Sequence, residues 1–482
     1  MLKKTLSLLT VFLTLYVALT VYLSVLESSI VESTGYVNTQ GISVHFAEWA
    51  PKSGVIKGTA VLLHGLGGSL EMMKWLGVEL ARNGYRAVAY DNVGHGRSSN
   101  VKASFNATQA FKIYSIVLDT LGVSKSEKIV LVGHSMGGFF VQEFAARDSR
   151  VEKIFILASR PYANITGTTK VAIYAAYDEI FTPMLAEGWE VMVFPHDNHL
   201  TILYNPALAD LVLKKIVGEE YVNISDLRLY VAVARSASTL SAMILIFYII
   251  ASLQSGETEI KHPGFSRYTF LLFSVIAAAP LAFPMYIATS QLVSLIAGYV
   301  LAIMYSQAVG LVAALRPRVS GTGIPQLEAG QILRKTVIGV LLAVVAYANV
   351  HEALQPFFNV ELSSFRFELF TWIFTLSLPP IVVFETMFRR KLQYLPFHRG
   401  LAVTIALRLA SFTSAYVTAR LLLGAQGMAG YLLIVTYVSL ILLLPLDIAA
   451  QAWLKRSGSW SENILWLAIV YSILLAAVSP IF

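Results

Sequence analysis

Hydrophobic and polar positions divide the chain into three stretches. Residues 5–25, "TLSLLTVFLTLYVALTVYLSV", carry no charge, and about 20 apolar residues suffice to cross a bilayer as a helix. From about 27 to 234 the apolar runs shorten and ordinary charge appears. From about 235 onward long apolar runs return, near 236–253, 268–287, 290–314, 336–350, 367–388, 400–423, 431–452 and 463–481. The pattern predicts nine membrane spans. Prolines 280, 284, 379, 380 and 445 fall inside or near these runs, which membrane helices tolerate when neighbours satisfy the freed carbonyls. The expected partition is an anchor over 1–26, a globular domain over 27–220 and an all-α polytopic membrane domain over 221–482.

Within the globular stretch the periodicity alternates between strand and helix. "GISVHFAEW", "GTAVLLHG", "YRAVAYDN", "EKIVLVGHS", "EKIFILAS", "KVAIYAAYDE" and "WEVMVFPH" read as strands. "EMMKWLGVELARNG", "ATQAFKIYSIVLDTLG", "MGGFFVQEFAARD" and "NPALADLVLKKIVG" read as helices. Such alternation predicts an α/β fold with a mostly parallel sheet. Chemistry in these sheets gathers beyond the carboxyl ends of the strands.

Composition agrees with the span pattern. At 56% hydrophobic and 13% charged residues, the chain is too apolar for an ordinary soluble protein. The absence of cysteine excludes disulfides, a thiol nucleophile and a cysteine-zinc site. The net charge of +7 is distributed as a topological signal. "MLKK" favours a cytoplasmic N-terminus. The alternate loops that follow carry Lys261 and Arg267; Arg316, Arg318, Arg334 and Lys335; Arg389, Arg390, Lys391 and Arg399; and Lys455 and Arg456. The opposite loops near 351–366 and 424–430 carry only Arg366. Positive charge marks the cytoplasmic side, so the globular domain is expected outside the cytoplasm. No nucleic-acid partner follows from the charge. The first run is expected to stay as an anchor, because "LESSIVESTG" offers no clear small-residue cleavage site. Asn106, Asn164 and Asn223 begin glycosylation sequons in the proposed outer domain. Charges inside spans usually pair or serve a function, which predicts a cluster of Glu385, Arg408 and Asp447 and a second pair of Arg420 with Glu368.

The candidate chemistry sits at "LVGHSMGGFF" (residues 131–140). Gly133-His134-Ser135-Met136-Gly137 fits the G-x-S-x-G strand-turn-helix pattern, in which small residues let the backbone turn sharply and expose the serine. A bare match recurs by chance in glycine-rich turns, so context decides. His64-Gly65-Leu66-Gly67-Gly68 follows an earlier buried strand, and "YDNVGHGRSS" follows the next. With these motifs in this order, residues 35–218 resemble the α/β-hydrolase superfamily, especially its esterases, monoacylglycerol lipases and proline-iminopeptidase-like enzymes. The resemblance does not reach the membrane region.

The resemblance implies a serine hydrolase with Ser135 as nucleophile. It implies backbone N–H groups of Leu66 and Met136 as oxyanion donors, an acid after the seventh strand and a histidine after the eighth. Asp178 is favoured as the acid, although Glu179 stands at the family's usual four residues before a proline, here Pro183. His199, ahead of Pro206, is favoured over His196; His196 and Asp197 read as polar loop residues. No cofactor or metal is expected. "RPYANITGTT", between the sixth and seventh strands, is too short for the lid that many relatives insert there. The expected substrate is a small-molecule or lipid acyl ester, with a thioester or a short peptide as alternatives. A transporter or lipid-binding protein with a non-catalytic hydrolase-like domain is the competing class, because eight further spans far exceed what anchoring needs.

Overall fold

The computed structural model describes residues 2–480 apart from 40, 100–105, 164, 219, 254–273, 316–328, 393, 424–426 and 458–459. Lys261, Arg267, Arg316, Arg318 and Asn164 therefore lie outside the described residues. Two compact units are present: one of residues 17–235, 354–366 and 477–482, the other of residues 1–16, 236–353 and 367–476.

The first unit is built on an eight-stranded sheet. Its elements are β1 (Ile30–Thr39), β2 (Ile42–Pro51), β3 (Thr59–Leu63), α2 (Lys74–Arg82), β4 (Arg86–Tyr90), α3 (Ala107–Thr120), β5 (Ile129–His134), α4 (Met136–Ala145), β6 (Val151–Leu157), β7 (Thr169–Ala175), β8 (Glu190–Phe194) and α5 (Pro206–Val217). Helix α1 (Leu2–Leu26) precedes them. The strand order is β1-β2-β4-β3-β5-β6-β7-β8. Strands β1 and β2 run antiparallel to their neighbours, and β4, β3, β5, β6, β7 and β8 are mutually parallel. Every residue of β3 and β5 is buried, because central parallel strands are covered on both faces. Side chains alternate between two cores. Leu62 faces a core with Leu80 of α2 and Val212 of α5. Val61 and Leu63 face another with Tyr114 of α3 and Phe140 of α4. This is the α/β hydrolase fold, with the mostly parallel sheet that the periodicity predicts.

Strand β1 falls in a stretch that the hydrophobic pattern did not mark. It pairs with β2 over its whole length, from Ile30 opposite Pro51 to Thr39 opposite Ile42. Only Ile30 and Val37 of its ten residues are buried, so an edge strand largely open on both faces leaves no alternation to read.

The remaining helices are α6 (Ser225–Leu253), α7 (Ala282–Leu292), α8 (Leu295–Leu315), α9 (Ala329–Leu354), α10 (Phe367–Val383), α11 (Phe397–Leu423), α12 (Met428–Ser457) and α13 (Ser461–Val478). Among the described residues, eight helices are long and apolar enough to cross a membrane. The segment expected near 268–287 is described only from Ser274, as a shorter apolar helix. It is interrupted by a tight turn at Ala279–Leu281 that contains Pro280, as a missing N–H and a ring clash would dictate. Helix α6 starts earlier than its apolar run, inside the stretch read as globular. Its first turns are tied to α2: the fully buried Arg228 donates to Glu79 at 2.6 Å and to the Trp75 carbonyl at 3.2 Å.

The second unit contains the ionic cluster. Arg408 donates from Nε to Asp447 at 3.0 Å and from a terminal nitrogen to Gln307 at 2.8 Å. Arg389, assigned above to a cytoplasmic loop, is a fully buried member. It donates to Glu385 at 2.6 Å and also to Asp447. A π-helical turn at Phe384–Arg389 carries it into the cluster; such turns insert a residue into the helical ladder and re-aim side chains. Asn463 completes the Glu385 carboxylate at 3.2 Å. The second expected pair does not form. Glu368 and Arg420 are both exposed, and Arg420 reaches its own-helix neighbour Tyr416 instead.

Candidate active site

Strand β5 turns directly into α4 at Ser135, whose φ of 52° and ψ of −114° are a strained pair for a residue with a Cβ. The turn is held from both sides. The Ser135 N–H donates to the Leu157 carbonyl at 2.9 Å, and the Ser159 hydroxyl donates to the Ser135 carbonyl at 2.9 Å. The small residues are required here. A Cβ on Gly137 would strike the Leu63 carbonyl group and approach the His64 oxygen to 2.9 Å, and one on Gly133 would strike the Gly137 carbonyl. The elbow therefore packs directly onto the end of β3.

Met136 is the first residue of α4, so its N–H has no partner within the helix. Leu66 lies in the turn closed by Gly68 N–H donating to the Gly65 carbonyl at 3.0 Å. A Cβ on Gly65 would sit 3.1 Å from Ser135 Cβ, so this loop runs alongside the serine. The two backbone segments assigned to the oxyanion thus flank Ser135.

After β7, Asp178 points both carboxylate oxygens at His199 Nδ1, each at 3.0 Å. Backbone N–H groups of Ile180 and Phe181 donate to Asp178 Oδ1 at 2.8 Å. Burial pushes the Asp178 carboxyl up, but the histidine and these two N–H groups outweigh it and hold it below the usual carboxylate range. It is therefore ionised at neutral pH and able to orient the imidazole. Glu179 is turned differently and accepts the His199 backbone N–H at 3.1 Å. His196 is exposed and stands apart from this constellation. Asp197 is buried, not a solvated loop residue. It accepts from Thr201 at 3.0 Å, from Asn205 at 2.5 Å and from the Tyr177 N–H at 3.0 Å, which fixes the loop carrying His199.

Two histidines were not singled out from the sequence. The His134 ring lies 4.8 Å from that of His199, and its Nε2 meets the His199 carbonyl at 2.8 Å. A carbonyl only accepts, so Nε2 carries the proton. Burial, with His199 close by, pushes the His134 pKa down to about 3, so the ring stays neutral and works as a fixed donor. His64 donates from Nδ1 to the Gly65 carbonyl at 2.8 Å, and its Nε2 accepts the Asn92 N–H at 3.0 Å. It joins the Leu66 loop to the turn after β4. The only sequence signal for either was its place inside a glycine-rich motif.

The sequence profile of the alpha/beta hydrolase fold family matches residues 60–200. The chain is 30% identical over 141 residues to a candidate non-heme haloperoxidase of Mycobacterium phage D29, covering 27% of this chain and 50% of that protein. It is 30% identical over 132 residues to the bifunctional esterase/perhydrolase DCH of Acinetobacter calcoaceticus, covering 26% and 45%. The chain thus spans about half the length of these curated relatives. A crystal structure of a CIB-like hydrolase from Thermoplasma acidophilum aligns at 17% identity with a TM-score of 0.33, covering 39% of this chain and 99% of that one. Sheet order, the strained Ser135 turn and the profile match agree, and the domain around residues 60–200 belongs to the α/β-hydrolase superfamily.

Proposed function

We propose that this protein is a membrane-integrated serine hydrolase that cleaves acyl esters, with Ser135 as nucleophile, His199 as general base and Asp178 as its orienting acid. The observation that carries this is the Asp178–His199 pair, both oxygens at 3.0 Å from Nδ1, on the loops following β7 and β8, with the His199 ring 4.8 Å from that of His134, the residue preceding the strained Ser135. With Nδ1–H held by the carboxylate, Nε2 is left as the base. Ser135 Oγ attacks the carbonyl carbon, its proton passes to His199 Nε2, and the carbonyl oxygen becomes an oxyanion facing the N–H groups of Leu66 and Met136. His199 then delivers its proton to the leaving alkoxide as the C–O bond breaks. Water, deprotonated by the same nitrogen, releases the acid and regenerates Ser135. Each oxyanion donor contributes roughly 10²–10³-fold in rate.

A lipid ester substrate is supported by the eight long apolar helices in the same chain. The connection between β6 and β7, residues 158–168, is too short for a capping domain. An extracytoplasmic hydrolase domain is supported by the bias of Lys and Arg among the loops. Residues 354–366, a loop of the cation-poor set, belong to the same compact unit as the hydrolase sheet. The test is turnover of short-chain nitrophenyl esters by purified protein. Ser135→Ala, His199→Ala and Asp178→Asn should each lose about 10⁴-fold or more, with Glu179→Gln retaining most activity. Full activity in Asp178→Asn with loss in Glu179→Gln would reassign the acid, and undiminished turnover in Ser135→Ala would refute the mechanism.

A further inference from the structure

The segment joining helices α9 and α10, Leu354–Arg366, is part of the hydrolase unit. Val360 and Arg366 are fully buried there, and Asn359 is nearly so. Phe358 packs against the core shared by α2 and α5, and the Phe357 carbonyl accepts the Tyr204 hydroxyl at 2.9 Å. The polar contacts converge on two places. The first is the descending leg of the loop that carries Leu66. The Asn359 N–H donates to Ser69 Oγ at 3.1 Å, and Gln355 donates to Glu71 at 3.1 Å. Arg97 bridges Glu71 at 2.6 Å and Glu361 at 2.9 Å. The second is the turn after β4. Arg366 donates to the Gly96 carbonyl at 2.6 Å and the Gly94 carbonyl at 3.1 Å, and its remaining terminal nitrogen to the Ser479 carbonyl.

Both places lead to the same atoms. The turn held by Arg366 contains His95, whose ring lies 5.3 Å from that of His64. It also contains Asn92, whose N–H is bonded to His64, which in turn holds the Gly65 carbonyl. Ser69, two residues beyond Gly67 in the same loop, is held by Asn359. Buried arginine hydrogen bonds to carbonyls are strong and directional, and a fully buried guanidinium is retained only where its donors are used.

We infer that Asn359, Glu361 and Arg366 are positioning residues for the oxyanion loop, so that the connection between two apolar helices completes the hydrolase site. This rests on the serine hydrolase mechanism above. The brace is the chain segment between α9 and α10, and it lies within the hydrolase unit.

The test uses full-length protein in detergent and compares Arg366→Gln, Arg366→Lys, Glu361→Gln and Ser69→Ala with wild type on a soluble ester. Binding of an alkyl boronic acid, which forms a tetrahedral adduct on the serine, is measured alongside. A displaced oxyanion donor should lower kcat about tenfold or more with KM changed little, and weaken the boronic acid by the same factor. Arg366→Lys should recover part of the loss. If Arg366→Gln fails to fold, Glu361→Gln, which weakens the ion pair with Arg97, and Ser69→Ala, which removes the acceptor of the Asn359 N–H, decide the matter. Unchanged kcat in the folded variants overturns the inference, as does a lower kcat with unchanged boronic acid affinity. A wild-type protein that neither turns over esters nor binds the boronic acid would instead overturn the hydrolase mechanism itself.

Discussion

Gly137→Ala isolates the demand that the elbow makes on its neighbours. Helix propensity alone favours the change, since alanine is up to about 1 kcal/mol better than glycine in a helix. The packing opposes it. The new Cβ would lie 2.7 Å from the Leu63 carbonyl carbon, closer still to the Leu63 carbonyl oxygen, and 2.9 Å from the His64 oxygen, where ordinary contact begins at 3.4 Å; the largest shortfall therefore exceeds 0.7 Å. Both neighbours are backbone, so the end of β3 must move away from α4. Overpacking of this kind costs about 1–3 kcal/mol. The residues displaced lead directly into Gly65 and Leu66, and a misplacement approaching 1 Å costs about 10²-fold in rate. Hydrogen exchange of β3 and β5 amides reads the stability of this unit separately from the helical one, and ester turnover reads the site. Gly330→Ala is the control, because a Cβ there meets nothing within 4 Å; it should be neutral or slightly stabilising. If Gly137→Ala matches wild type in both protection and turnover, the close packing of the elbow on β3 is not what shapes the site.

Three further perturbations probe other parts. Burial pushes the Asp91 carboxyl up, but His45, His64 and the Arg97 N–H outweigh it and hold its pKa at about 2; the depressed value stabilises the fold above the ordinary carboxylate range near 4, and that contribution disappears as pH falls toward 2. Asp91→Asn should therefore cost about 2 kcal/mol at neutral pH, with the difference from wild type vanishing near pH 2 in denaturant titrations. Arg408→Met leaves Asp447 short of a partner and should destabilise the helical unit by about 3–5 kcal/mol, seen as a lower melting temperature in detergent; an unchanged melt would show that the cluster carries no stability. Because the chain has no cysteine, Asn38→Cys in exposed β1 should react with an impermeant maleimide on intact cells, and His398→Cys, in the first turn of α11, should not; the reverse pattern would invert the proposed topology.

The parts of this fold legible in the sequence are those where burial is uniform or strictly periodic. Strands β3 and β5 are apolar runs because both faces are covered, and the glycines around Ser135 are dictated by backbone contact. What stayed hidden depends on tertiary placement. Spacing to Pro183 could not separate Asp178 from Glu179, because the turn after β7 sends one carboxylate to the imidazole and its neighbour to a backbone N–H. Arg389 sits in a run of basic residues that suggests a loop, yet one π-helical turn draws it into the ionic cluster while Arg390 and Lys391 stay less buried. Residues 354–366 look like a short connection between spans, and nothing local announces that Arg366 will cap carbonyls of a turn some 270 positions earlier. Strand β1 was missed because only two of its side chains are buried.

The most direct measurement is covalent labelling of the intact protein with a fluorophosphonate probe, followed by mapping of the modified residue by peptide mass spectrometry. The mechanism predicts one adduct, on Ser135, absent in Ser135→Ala and slowed by orders of magnitude in His199→Ala, with each variant still folded by hydrogen exchange. A folded wild-type protein that takes up no probe, or takes it up equally in Ser135→Ala, would contradict the claim that this domain is a working serine hydrolase.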